Sequence, residues 1–274
     1  MSALAQSPLY TGLFVLVCLA GAALFGGLIR TQIAERHRSR ETIELIQVSV
    51  TMLVTFASIV LGLLVSSSKT AFDTADGEMH NYAIKLIELD RALRDAGPVA
   101  DDIRAQLRAY TAAAIASTWS EEPSPKGDYY PRLAPDNPND IDIANSKLGQ
   151  MINKIGVAVV NLPQDGLVER EARNAADRQF RDLDQNRWYL LSVENPTVDL
   201  PFLLTLVLWM VIVFACFGLT APTNPIATII IILGAAAIAS AMYVIVDLNT
   251  LFDDGIFSIP STYMHQALRG MEAP

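Results

Sequence analysis

Glu44, Gln47, Thr51, Thr55, Ser58, Gly62, Ser66, Lys69, Asp73, Asp76 and His80 succeed one another at steps of three or four residues. On a helix that spacing puts them in one line along one face. The stretch that carries the middle of the line, 45–66, holds no ionisable residue. Hydroxyls, an amide and flanking charges in such a setting can solvate an ion or a file of water, and two readings compete. In the first, copies of the helix surround an axis. Gln47, Thr51, Thr55, Ser58, Gly62 and Ser66 then line a polar path, with Lys69 and Asp73 as charged rings at its mouth. Phe56, Ile59 or Leu63 on the same helix would supply a hydrophobic constriction that gates by dewetting. In the second, Thr, Ser and Gly simply let helices approach closely and share weak interhelical hydrogen bonds.

Enzyme chemistry has little to stand on, and no catalytic residue, cofactor or metal is expected. His37, His80 and His265 belong to different segments, and no His/Cys/Glu spacing suits zinc. There is no glycine-rich phosphate loop and no nucleophile elbow. Asp247-Leu-Asn-Thr-Leu-Phe-Asp253-Asp254-Gly255 gathers carboxylates but lacks the spacing and distal glutamate of a calcium loop, and reads as a solvated cap and turn. Cys18 and Cys216 lie in apolar stretches and form no ligand cluster.

The elements that must position the polar line are four stretches free of Asp, Glu, Lys, Arg and His, 8–29, 45–66, 201–219 and 226–246. Each has about the 20 residues that an α-helix needs to cross a bilayer. Backbone groups in lipid must be satisfied within the segment, so helices are expected. The fold class is therefore an all-α integral membrane protein with four transmembrane helices and a helical-bundle soluble domain inserted between the second and third. The boundaries are 1–66 for a first hairpin, 67–199 for the insert, 200–246 for a second hairpin and 247–274 for a C-terminal segment. The N-terminus lacks the basic region and cleavage site of a signal peptide, so the first span is expected to be retained.

Charge follows the same division. The chain carries a formal −9, and 67–199 holds 22 Asp and Glu against 15 Lys and Arg. An acidic insert argues against a nucleic-acid partner and gives no support for docking on anionic lipid. Ion-coupled motors and transporters normally carry a carboxylate, histidine or cation inside the bilayer, and these four spans carry none. Passive conduction has no such requirement.

The second span does not stop at the membrane. Phe72, Ala75, Met79, Tyr82, Leu86, Leu89, Leu93 and Ala96 repeat at alternating steps of three and four, a heptad seam of the kind that coiled coils use. One helix from Ile43 to Ala96, ended by Gly97-Pro98, is the simplest reading. Further helices are expected at 98–119, 141–161 and 167–194, with a proline-rich loop at 121–140 and a turn at 163–166. Asp199 and Asn224 are placed to cap the third and fourth spans, Asn224 ahead of Pro225. Ala22/Gly26, Ala23/Gly27, Ala235/Ala239, Ala236/Ser240 and Ala237/Ala241 are small pairs suited to close contact, within a chain or between chains. Trp209, mid-span, reads as interior packing.

Arg30, Arg36, Arg38 and Arg40 cluster in the loop after the first span, and the positive-inside rule then puts the insert and both termini outside the cytoplasm. Several stretches resemble a bacterial family described as bestrophin-like. They are Leu86-Ile-Glu-Leu-Asp90-Arg-Ala-Leu-Arg94-Asp-Ala-Gly97-Pro98, Arg104-Ala-Gln-Leu-Arg108-Ala-Tyr110 with Trp119, Phe217-Gly-Leu-Thr-Ala-Pro222-Thr-Asn224 and Val246-Asp247 through Ile259. The terminal stretch departs from the family's Leu-Asp-x-Pro-Phe-x-Gly in having Thr250-Leu251 before Phe252 and an extra acidic residue. The resemblance implies a multi-pass protein of the bacterial inner membrane, a homo-oligomer of five copies, and a second helix lining a central ion pathway. It also implies that the insert and the termini lie in the cytoplasm, opposite to the charge-based orientation. The alternative function is a non-conducting scaffold or signalling protein that binds an unidentified protein partner through the soluble helices.

Overall fold

A computed structural model describes residues 7–32, 40–120, 122–133, 146–164, 166–193, 200–222, 224–252 and 255–272. The expected break at Asn195-Pro196, the Asp199 cap, most of the arginine loop, Asp253, Asp254 and the second half of the proline-rich loop lie outside them. The regular structure of the described residues is all helix, with no strand, and irregular segments such as 122–133, 248–252 and 255–261 connect the helices. In order, the helices are α1 (Pro8–Gln32), α2 (Arg40–Asp95), α3 (Asp101–Thr118), α4 (Ser146–Val160), α5 (Leu167–Val193), α6 (Leu200–Thr220), α7 (Pro225–Asp247) and α8 (Thr262–Glu272). Among the described residues, helices α1, α2, α6 and α7 are long and apolar enough to cross a membrane. The chain divides into two compact units, Met1–Phe72 with Pro196–Thr250, and Asp73–Asn195 with Leu251–Pro274.

In the first unit α1 packs along α6 and α7. Val15, Leu19 and Ala23 meet Leu206, Met210, Val213 and Phe214 of α6 and Ala235, Ala239 and Met242 of α7 in one buried cluster. Trp209 packs against that cluster from its edge and is only half-buried, so it is a packing residue but not a fully interior one. Gly26 and Gly218 have no room for a side chain. A Cβ at Gly26 would fall on the carbonyl of Ala215, and one at Gly218 on the carbonyl of Ala23. The small residues of the first span thus serve contact inside the chain, as do Ala235 and Ala239, whereas Ala236, Ala237 and Ser240 stay exposed. Asn224 caps α7 by accepting the Ala227 amide at 2.7 Å, with Pro225 at the first helical position. Arg30 at the end of α1 donates to the Ala221 carbonyl just past α6, satisfying an acceptor that the helix leaves open.

Asp247 corrects the reading of a solvated cap: it is fully buried. Tyr243, one turn earlier on α7, hydrogen-bonds its carboxylate, and its own carbonyl accepts from the Thr250 hydroxyl at 2.9 Å. Asn249 next to it ties the Ile245 carbonyl at 2.6 Å and the Ser68 hydroxyl of α2 at 3.0 Å.

The second unit is built on the far half of α2. Six members of the heptad seam, Ala75, Met79, Tyr82, Leu86, Leu89 and Leu93, are buried, and helices of the same chain supply their surroundings. Tyr82 meets Tyr110 of α3 hydroxyl to hydroxyl at 2.6 Å. Asp90, 2% exposed, takes Arg104 of α3 at 3.0 Å and Arg94 at 3.0 Å, so the buried carboxylate has two cations. Gly97 then adopts a φ of 79°, which only glycine takes freely, and closes the helix where the sequence puts its end.

Helix α8, with Met264, Ala267, Leu268 and Met271 buried, packs on α3. The segment leading to it is pinned by Trp119, whose indole donates to the Ile259 carbonyl at 2.8 Å and takes the Phe252 ring edge-on.

Tyr82 and Tyr110 are fully enclosed, and burial pushes both phenols above their ordinary value, Tyr82 the further because Tyr110 lies against it. The unfolded chain therefore gives up these protons first, and stability is lost as pH rises. We expect unfolding by heat, followed by circular dichroism, to be insensitive to these groups at neutral pH. It should ease as pH climbs past the ordinary tyrosine value of 10.0. The double change Tyr82→Phe with Tyr110→Phe should flatten that alkaline limb.

Candidate functional site

The polar line lies on α2 as one face of an unbroken helix. Gln47, Thr51, Thr55, Ser58, Gly62, Ser66, Lys69 and Asp73 are all exposed in the chain. The opposite side is covered: Val50 and Ala57 are buried, and Ile46, Leu53, Val54, Val60, Leu61 and Leu64 pack on the first unit's core. A Cβ added at Gly62 would meet nothing within 4 Å. Close contact between helices of the same chain therefore does not account for the line.

The hydroxyls are not idle. Thr51 donates to the Gln47 carbonyl, Thr55 to that of Thr51 and Ser58 to that of Val54, each at 2.8 Å, and Thr70 to Ser66 at 2.9 Å. Each hydroxyl spends its hydrogen on the preceding turn and keeps oxygen lone pairs for what lies outside. Lys69 leans over the Phe72 ring at 5.5 Å. Farther along, Asp76 is half-buried, while the exposed His80 sets its ring edge-on to Tyr263 of α8 at 4.7 Å.

Phe56, Ile59 and Leu63 are also uncovered, at 48%, 57% and 66% exposure. With 3.6 residues per turn, Phe56 and Leu63 stand roughly 120–140° round the helix from Thr51, and Ile59 about 80°. The hydroxyls and the large apolar side chains thus occupy two flanks of one open face, with Val48, Met52, Thr55 and Ile59 toward its middle. Sequence spacing gives each set separately; that both lie opposite the covered side is evident only in three dimensions. Among the described residues no group of three or more His, Cys, Asp or Glu could hold a metal.

Four apolar helices, one of them carrying an open polar face, define a helical integral membrane protein. The chain belongs to the family of the Bestrophin-like domain, which matches residues 17–263. A bacterial bestrophin homologue from Klebsiella pneumoniae with a tyrosine-to-alanine change has a TM-score of 0.64 at 15% identity, covering 94% of this chain and 96% of that one. A tryptophan-to-alanine variant gives 0.63 at 16% identity and 97% of both chains. A structure described as a membrane protein with a glycine-to-alanine change gives 0.65 at 16% identity, covering 94% and 96%. At such identities the likeness is one of fold. No curated protein matches the chain.

Proposed function

We propose that this chain forms a homo-oligomer, five copies by the family resemblance, and passes ions passively along an axis that the open face of α2 surrounds. The observation that carries this reading is an uncovered polar line on a helix whose other side is sealed by its own chain. An amide and hydroxyls turned to acyl chains would lose the partners that water or another copy can give, which costs free energy. A single copy has nothing opposite the line and cannot enclose a path. In this reading 67–199 is a soluble bundle inserted between the two membrane hairpins, Lys69 and Asp73 ring the mouth, and Ile59 with its neighbours narrows the path.

Two measurements on the purified protein test it. Native mass spectrometry in mild detergent should give a closed multiple of the 29.8 kDa chain. Vesicles holding the protein should dissipate a salt gradient that protein-free vesicles retain. A monomer overturns the proposal. So does an intact oligomer without flux, a result that would favour the non-conducting scaffold.

A further inference from the structure

We propose that Trp188 and Tyr189, the exposed aromatic pair at the end of α5, anchor that end among the phospholipid head groups of the bilayer surface. Tyr82, Tyr110, Trp119 and Tyr130 of the second unit are buried. Trp188 and Tyr189 are instead 63% and 48% exposed, side by side in the sequence. Each has an apolar ring with a polar N–H or O–H at its rim. That is the pairing favoured at the membrane–water boundary, where the ring leaves water and the donor stays wet.

Their place on the chain fits that partner. Helix α5 ends at Val193 and the membrane helix α6 starts at Leu200. A connection so short reaches about 25 Å at full extension, so the end of α5 is tethered to the bilayer. Within the second unit, Asp184 of α5 acts on Tyr82 of α2, while Asn186 donates to Glu78 at 2.7 Å. Rising numbers on α5 thus meet falling numbers on α2, and α5 runs back toward the residues that follow the α2 span. The guanidinium of Arg187, itself buried, lies 5.8 Å from the centre of the Trp188 ring and holds the indole at the surface. At the other end of α5 the exposed apolar residues are aliphatic, Leu167 and Val168. Along α5 itself, exposed aromatics occur only at the tethered end, while elsewhere in the unit Tyr129 is 44% exposed.

The test uses the whole protein in vesicles of phosphatidylcholine and phosphatidylglycerol, with nitroxide either on a fraction of the head groups or deep on the acyl chains. Wild type is compared with Trp188→Phe, an exposed position where the fold is kept. The other tryptophans, Trp119 in the second unit's core and Trp209 in the middle of a span, remain in both proteins. Head-group nitroxide should quench the wild-type emission roughly twice as much as that of Trp188→Phe, since the indole sits at that depth. The deep label should quench both alike. Two results overturn the proposal. In one, head-group quenching is equal in the two proteins and acrylamide quenches the wild type more, which places the indole in water. In the other, the Trp188 emission resists both agents, which places it against protein. Neither depends on whether the protein conducts.

Discussion

Gly218→Leu, and independently Gly26→Leu, should abolish recovery of folded protein, whereas Gly21→Leu leaves it intact. The two sensitive glycines sit where α1 and α6 touch backbone to backbone. At each, the first side-chain carbon would occupy the space of a carbonyl on the other helix, Ala215 for Gly26 and Ala23 for Gly218. A carbonyl inside a helix cannot rotate away as a side chain can, so the helices must part. Parting them opens the contact of Val15 and Leu19 with Leu206, Met210 and Val213. In lipid, van der Waals packing of this kind is what holds helices together, because the acyl chains are as apolar as leucine. Overpacking a well-filled contact costs about 1–3 kcal/mol even where side chains can yield, and here the obstacle is backbone. Gly21, on the same helix, has no atom within 4 Å of an added Cβ. Size exclusion and thermal unfolding of the three purified variants decide the matter. Equal loss in Gly21→Leu would show that bulk anywhere in α1 is harmful, and the account of the crossing would fail.

These glycines also mark where sequence stops being informative. The spans, the length of α2, its end at Gly97-Pro98 and the Asn224-Pro225 start of α7 could all be read, because each depends on local chemistry. Within a span almost every residue is apolar, so periodicity cannot say which side is covered or by what. The small pairs of the first span stood out, but only the structure shows that Gly26 meets α6 of the same chain. Helix α8 is different: Met264, Ala267, Leu268 and Met271 keep helical spacing, yet the stripe is short and follows an irregular stretch. Asp247 looked like a solvent-facing carboxylate because it ends an apolar run next to acidic neighbours, while its buried place depends on Tyr243 and the residues that follow it. Several pieces that resemble the family turn out to do architectural work. Asp90 with Arg94 and Arg104 holds α2 to α3, Trp119 pins the C-terminal segment, and Asn224 starts a helix. The polar line was legible for the opposite reason, since hydroxyls show plainly against an apolar background.

Thr55→Trp is expected to reduce ion flux through vesicles to the protein-free level while the oligomer and its thermal unfolding stay unchanged. Thr55 lies on the hydroxyl flank, near the middle of the open face, with its side chain outward and its hydroxyl engaged only with the Thr51 carbonyl. Removing one hydroxyl that bonds its own backbone costs little stability. In the proposed oligomer an indole added there would enter the shared space once for every copy, so its bulk would be multiplied by the symmetry of the assembly. The same change at Ala57, two residues on but buried on the covered side at 2% exposure, should instead prevent folding. Together the pair separates a path from a packing surface. If Thr55→Trp breaks the oligomer, the hydroxyl flank is a seam between copies. If it conducts as well as wild type, the flank faces lipid, and the oxygen lone pairs along α2 have no ion to meet.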